Sequence, residues 1–150
     1  MKTIQDIIQI IRQSKDELGI TLYAPASSIQ IENFEKELNL ILPDEIKQFY
    51  KFSNGFESAE DIFRIIDLEE ILEQKEHYKT NQFYIAEYMI YSDMWEVVIN
   101  PIANNYSIQE ASFKTTLTSS FAEFLDRFLK GGIFETGGLY DWKEHIKSLG

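Results

Sequence analysis

Pro43 and the Asn54–Gly55 pair bracket the run LPDEIKQFYKFSNG, and the bracket limits what the surrounding chain can become. A residue before proline avoids the α region, so Leu42 stays outside any helix. Proline itself suits the first helical turn, where its missing N–H is not needed. Asp44 and Glu45 then face the positive end of the helix dipole. Ile46, Phe49 and Tyr50 share one face by the i, i+3, i+4 rule, with Phe52 nearby. Asn54–Gly55 allows a left-handed turn that ends the helix. The run therefore predicts a short amphipathic helix with an extended entry and a sharp exit.

The flanking segments extend this pattern. Ile4, Ile7, Ile8 and Ile11 form one apolar helical face, predicting a helix to about Leu18 with Gly19 as its stop. TLYAPASS reads as a connector. Ser27 and Gln30 have capping-box spacing, and Ile29, Ile31, Phe34 and Leu38 supply the face of a second helix. NLILP is a brief extended link.

After Gly55 the period changes from helical to alternating. DIFRII reads as a strand and DLEEILEQKEHYK as a helix starting at Asp67. FYIAEYM and WEVVIN read as two strands joined by a YSDM turn, with Phe83, Ile85 and Glu87 on one side. NYSIQEAS is a third strand. Ser120 to Glu123 has capping-box spacing, opening a helix whose apolar face is Phe121, Phe124, Leu125, Phe128 and Leu129. Gly131–Gly132 stops it, and a last helix is expected from about Tyr140 to Leu149. Helices, then mostly consecutive antiparallel strands, then helices predict an α+β fold, with a mostly antiparallel sheet flanked by N-terminal and C-terminal helices. With 150 residues and no evident linker, residues 1–150 are expected to form a single domain.

Composition narrows the function. There is no cysteine, which excludes disulfides, thiolate catalysis and cysteine-based zinc sites. The net charge of −11 disfavours binding to nucleic acid or to anionic membranes, both of which need Lys and Arg. It is compatible with a basic protein partner, and equally with a surface whose negative charge only keeps the protein soluble. Asp6, Gln9, Arg12 and Gln13 interrupt the opening residues, so these do not read as a signal peptide. No window approaches ~20 apolar residues. A cytoplasmic protein is expected.

No motif points to catalysis, a metal or a cofactor. His77 and His145 stand in polar helical settings with no H-x-x-x-H spacing. Ser119–Ser120 lacks a nucleophile elbow, and Ser120 is better read as a helix cap. DLEE and ESAED do not match a calcium loop. Gly131–Gly132 and Gly137–Gly138 match no phosphate-binding pattern. The hairpin residues Glu87, Tyr88, Tyr91, Asp93, Trp95 and Glu96 mix rings with acids, which suits a basic protein partner. A sheet with one buried aromatic face and one solvated acidic face would give the same pattern.

Two stretches carry a family resemblance. SIQIENFEKELNLILPDEIKQFYKFSNG resembles the N-terminal signature of the SUKH superfamily, the Smi/Knr-type domains. It matches at Ser28, Glu32, Phe34, Glu35, Leu38, Leu42, Pro43, Phe49, Asn54 and Gly55. SSFAEFLDRFL resembles the family's Ser-Phe-x-x-Phe-Leu helix, at Ser120, Phe121, Glu123, Phe124 and Leu125. The resemblance spans roughly residues 28–130. It departs between the central strands, where Ser92, Asp93, Met94 and Trp95 replace a Gly- or Asp-rich turn and a Tyr.

The resemblance implies an α+β fold and no enzyme. Many bacterial members look like immunity proteins that neutralise toxins, often nucleases; fungal relatives act as regulatory hubs linked to cell-wall synthesis. The expected partner is therefore a basic cognate toxin, with a general protein-interaction module as the alternative and a carboxylate hydrolase as a third reading. The expected contacts are Glu87, Tyr88, Tyr91, Asp93, Trp95 and Glu96 on the hairpin, with Glu57, Glu60 and Asp61 as an acidic rim. A monomer or weak homodimer without cofactor is expected.

Overall fold

Thr3 opens the first helix with a reciprocal cap: its hydroxyl accepts from the Asp6 N–H and the Asp6 carboxylate accepts from the Thr3 N–H. Helix α1 (Ile4–Ser14) buries Ile4, Ile7, Ile8 and Ile11, the face the spacing predicts. It stops short of Leu18, and the chain turns through Gly19 at φ +67°. The computed structural model describes residues 2–149.

Part of the expected connector is a strand. β1 (Ile20–Leu22) pairs antiparallel with β2 (Phe56–Ser58), a second strand that the sequence pattern does not predict. Three residues are too few to show alternation, so only a partner strand defines them. β3 (Phe63–Ile65), β4 (Gln82–Tyr88), β5 (Asp93–Asn100), β6 (Asn105–Glu110) and β7 (Thr115–Thr118) continue in chain order as a seven-stranded antiparallel meander. β7 lies beyond the three strands read after residue 80.

Helix α2 (Ser28–Leu38) has the expected Ser27–Gln30 capping box and buries Ile31 and Phe34. Ile29, expected on the same face, is 77% exposed. It lies two residues before Ile31, and i, i+2 positions point to different sides of a helix. Asn39 closes α2 in the left-handed conformation, and the Glu35 carboxylate holds the Leu42 N–H at 2.8 Å in the extended link. Helix α3 (Asp44–Phe52) follows with Pro43 at its cap.

Asn54 and Gly55 have separate tasks. Gly55 alone takes positive φ, at +97°, and a Cβ there would collide with the Ile65 carbonyl of β3. The Asn54 side chain accepts from the Leu68 N–H at 2.9 Å and donates to Glu69 at 2.8 Å. It thereby caps helix α4 (Leu68–Glu73) together with Asp67. α4 is shorter than expected, and a 3₁₀ turn at Lys75–His77 follows it.

Helix α5 (Phe121–Gly131) has Ser120 as cap, but only half of the expected box forms. The Ser120 hydroxyl accepts from the Glu123 N–H, while the Glu123 carboxylate accepts from Thr118. The Ser120 N–H goes to the Thr118 hydroxyl at 3.0 Å. The helix start is tied instead to α3. Glu45 accepts from the Phe121 N–H at 2.6 Å and from the hydroxyls of Ser120 and Tyr106. Helix α6 (Leu139–Leu149) ends the described chain.

The helices α1, α3 and α5 pack together, and α5 and α6 both reach β7. Between helices and sheet lies a continuous aromatic core. Phe49 meets Phe121 edge-on at 5.3 Å, Phe63 stacks on Phe128 at 4.1 Å, and Phe34 meets Phe83 at 5.3 Å. Phe49 is fully buried and also touches the rings of Tyr50, Phe52 and Phe56. Phe49→Ala is expected to lose about 3–5 kcal/mol in a urea unfolding titration. Ile29→Ala should stay within about 0.5 kcal/mol of wild type, because its side chain is in water.

Candidate interaction surface

The β4–β5 hairpin sorts its residues by the pleat, with one interruption. Ala86 pairs with Trp95 and Tyr84 with Glu96, so a bulge lies between Tyr84 and Ala86. One extra residue reverses the alternation beyond it. Phe83, Ala86 and Tyr88 therefore share the helix-facing side, and Glu87 moves to the opposite side with Tyr84. The uninterrupted alternation of Phe83, Ile85 and Glu87 does not hold.

This sorting separates the expected contact residues. Trp95 is 1% exposed and lies in the core against Phe63 and Phe124, at 5.7 and 6.1 Å. It has no surface to offer a partner. Asp93 is also buried and accepts from the Tyr140 hydroxyl at 2.8 Å. Tyr88 is half-buried, edge-on to Phe134 at 5.6 Å and to Tyr140 at 6.2 Å. On the other side Glu96 is buried beneath Lys114 and Gln109, both at 2.6 Å. Glu87 is buried beside Arg64. Of the remaining residues, Glu57 and Glu60 are exposed and Asp61 is half-buried beside Gly132. A charged residue in a strand reads as solvated, whereas Glu87 and Glu96 are buried against cations from β3 (Arg64) and from the β6–β7 turn (Lys114).

Arg64 organises the outer sheet face. Its guanidinium donates to both Glu70 oxygens, at 3.0 and 2.6 Å, and through Nε to Glu87 at 3.1 Å. The Tyr91 hydroxyl also donates to Glu70, and its backbone N–H points to Glu87. The Arg64 hydrogen bonds hold the Glu70 carboxyl below the usual glutamate range, with the Tyr91 donor helping and burial opposing. Burial, with Glu70 close by, pushes the Tyr91 phenol up.

Tyr91 reaches this network because the hairpin turn is left-handed. Met89, Ile90 and Tyr91 have φ of +50°, +51° and +62°, and the turn closes through Ser92 N–H to Tyr88 O at 2.9 Å. It precedes the expected YSDM turn. A β-branched residue at positive φ is strained. No glycine or asparagine announces the turn, and Ile90 favours a strand by local propensity. The same end of the sheet carries the β2–β3 turn, where Ile62 is also at positive φ, +53°, and accepts from the Met89 N–H at 2.8 Å. Ile62, Met89 and Ile90 are 52%, 42% and 86% exposed.

Beside this tip lies a hollow of about 370 Å³ with Glu17, Glu60, Asp61, Glu135 and the Asp126-paired Lys130 on its walls. A larger open groove, about 970 Å³, runs between the α2–α3 link and the β5–β6 turn, past Leu40, Leu42, Ile99 and Tyr106. The charged pair on its wall, Glu35 and Lys47, is spent on itself at 3.3 Å.

Asp93 and Glu110 form one buried carboxyl pair of the kind acid–base chemistry uses. Burial, then the Glu110 hydrogen bond, raises Asp93. Glu110 is lowered: burial pushes it up, but Asp93 and the Phe113 and Ser112 N–H groups outweigh that. Donors already occupy the pair: Tyr140 on Asp93, and the Ser112 and Phe113 N–H groups at 2.8 and 2.9 Å on Glu110. It lines neither hollow. His77 and His145 are exposed. Among the described residues no cluster of three or more His, Asp or Glu could hold a metal ion, and no helix is long and apolar enough to cross a membrane.

A meander sheet backed by helices that carry the Leu-Pro…Asn-Gly and Ser-Phe-x-x-Phe-Leu segments defines a SUKH-type α+β domain. The model of the SMI1 / KNR4 family (SUKH-1) matches residues 25–127, from just before α2 into α5, and the chain belongs to that family. A comparison with curated proteins gives no match.

The Glu70 network has a definite pH dependence. Folding lowers the Glu70 pKa from its ordinary value of 4.5, so the stabilisation is present above that value and is lost as pH falls through the lowered one. Glu70→Gln is expected to cost on the order of 1–3 kcal/mol at neutral pH. The gap to wild type should close in urea titrations taken progressively below that ordinary value.

Proposed function

We propose that this protein is a non-enzymatic immunity protein that binds and neutralises a basic toxin. The observation that carries the reading is membership of a family whose members are commonly immunity proteins against polymorphic toxins. Charge supports it independently. Ion pairs among the described residues engage Glu35, Glu37, Glu70, Glu87, Glu96, Asp126 and Glu144, a minority of the 25 acidic side chains. Most of the rest are exposed and give the surface a negative field that steers a basic partner and holds it in a salt-dependent way. A nuclease toxin fits this chemistry, since a cleft that grips phosphates is basic.

Glu57 and Glu60 are exposed and Asp61 half-exposed, so these three can meet such a partner directly, and Tyr88 and Tyr91 are half-buried at the same end. Glu87, Asp93, Trp95 and Glu96 support the surface from beneath.

Co-expression with the toxin encoded beside its gene is expected to restore growth, and the purified pair should form a 1:1 complex. Affinity should fall at least ~10-fold when salt rises from about 50 to about 500 mM. A lethal toxin and no complex at low salt would sink the proposal. Capture of several unrelated partners would instead support a regulatory interaction module.

A further inference from the structure

We propose that the left-handed tip formed by Ile62, Met89 and Ile90 anchors the partner, entering an apolar pocket on a basic protein while the neighbouring hollow receives a lysine or arginine side chain of that protein. This rests on the toxin-binding reading above and assigns where on the fold it happens.

Exposed apolar area converges here with strain. Ile62, Met89 and Ile90 come from two adjacent turns that the Met89–Ile62 backbone bond holds together. All three have positive φ, a conformation that β-branched and bulky side chains rarely take and that asparagine and glycine accept. The fold alone gives no reason for isoleucine at position 90, since its side chain is 86% exposed and takes no part in the hydrophobic core. Strain of this kind persists where surrounding structure enforces it and collects at ligand clamps. The enforcement is visible: Tyr91, next in the chain, is pinned to Glu70 and Glu87.

Charge selects the occupant. The chain runs directly from Glu60 and Asp61 into Ile62, and those two acids line the hollow with Glu17 and Glu135; the cation on its wall, Lys130, is paired with Asp126 at 3.0 Å. An apolar knob beside an acidic recess fits a partner with an apolar pocket rimmed by cations. Two other exposed apolar turns of the sheet differ. Phe113, in the β6–β7 turn, has the ammonium groups of Lys143 and Lys147 over its ring at 5.6 and 5.2 Å, which would repel such a partner. Ile102 lies at the opposite end of the sheet, among Asn100, Asn104 and Asn105.

Ile90→Asn separates docking from folding because the two effects have opposite sign. Asparagine suits the left-handed conformation, so the variant should unfold at the same temperature as wild type or higher. Its affinity for the catalytically inactivated toxin should nevertheless fall at least ~10-fold in calorimetric titration, as for a central anchor. Ile102→Asn should leave affinity unchanged, and Glu60→Lys should weaken binding and flatten its salt dependence.

Unchanged affinity of Ile90→Asn, with wild type binding normally, would overturn the anchor and leave the immunity reading standing. Failure of wild type to bind would overturn both. A wild-type dimer in sedimentation that Ile90→Asn dissociates would also overturn the proposal, assigning the tip to a second copy of this chain.

Discussion

The junction of α3 with the start of α5 holds the molecule together. Glu45, in the first turn of α3, accepts the backbone N–H of Phe121 and the hydroxyls of Ser120 and Tyr106. One turn further on, Phe49 meets the Phe121 ring edge-on. A helix N-terminus separated from Glu45 by 76 residues is thus capped by a charge and anchored by a ring from a single helix face. Phe49, Ser120 and Phe121 at this junction lie in the two segments that carry the family resemblance, inside the matched span 25–127. The sheet between them in sequence is held against the same rings, through Phe56, Phe63 and Trp95. The Asn-Gly at the end of α3 extends the junction to the sheet: Gly55 lets the backbone pass β3 closely, and Asn54 starts α4.

Opposite that core, the outer sheet face is organised by charge. Arg64 neutralises Glu70 and Glu87, and Lys114 covers Glu96. Buried carboxylates of this kind need partners with good geometry, because an unpaired one would be driven to take up a proton. No buried side-chain nitrogen or oxygen among the described residues lacks a hydrogen-bond partner. The acids of the hairpin are therefore part of the frame that holds the left-handed tip, and the acids left to face a partner lie in the turns beside it.

The elements long enough to repeat a period were legible in the chain. The isoleucine face of α1, the ring face of α5, the capping residues Ser27, Asp67 and Ser120, and the stop at Gly55 act through local sterics and bonds to near neighbours, and the overall α+β order followed from them. Strands β1, β2 and β7 are three or four residues each, and only pairing makes them strands. The side that Glu87 faces depended on a one-residue bulge, which leaves no mark in composition. The burial of Glu96 depended on Lys114, 18 positions away. The tip of Met89 and Ile90 reads as strand because its left-handed turn contradicts local propensity and is imposed by contacts to Ile62, Glu70 and Glu87. What the sequence determined by itself was the class of fold and the acidic balance, since periodicity and charge are additive along a chain. Which acids are buried, and which apolar side chains stand in water, only the tertiary structure decided, because each depends on a partner that folding brings from elsewhere.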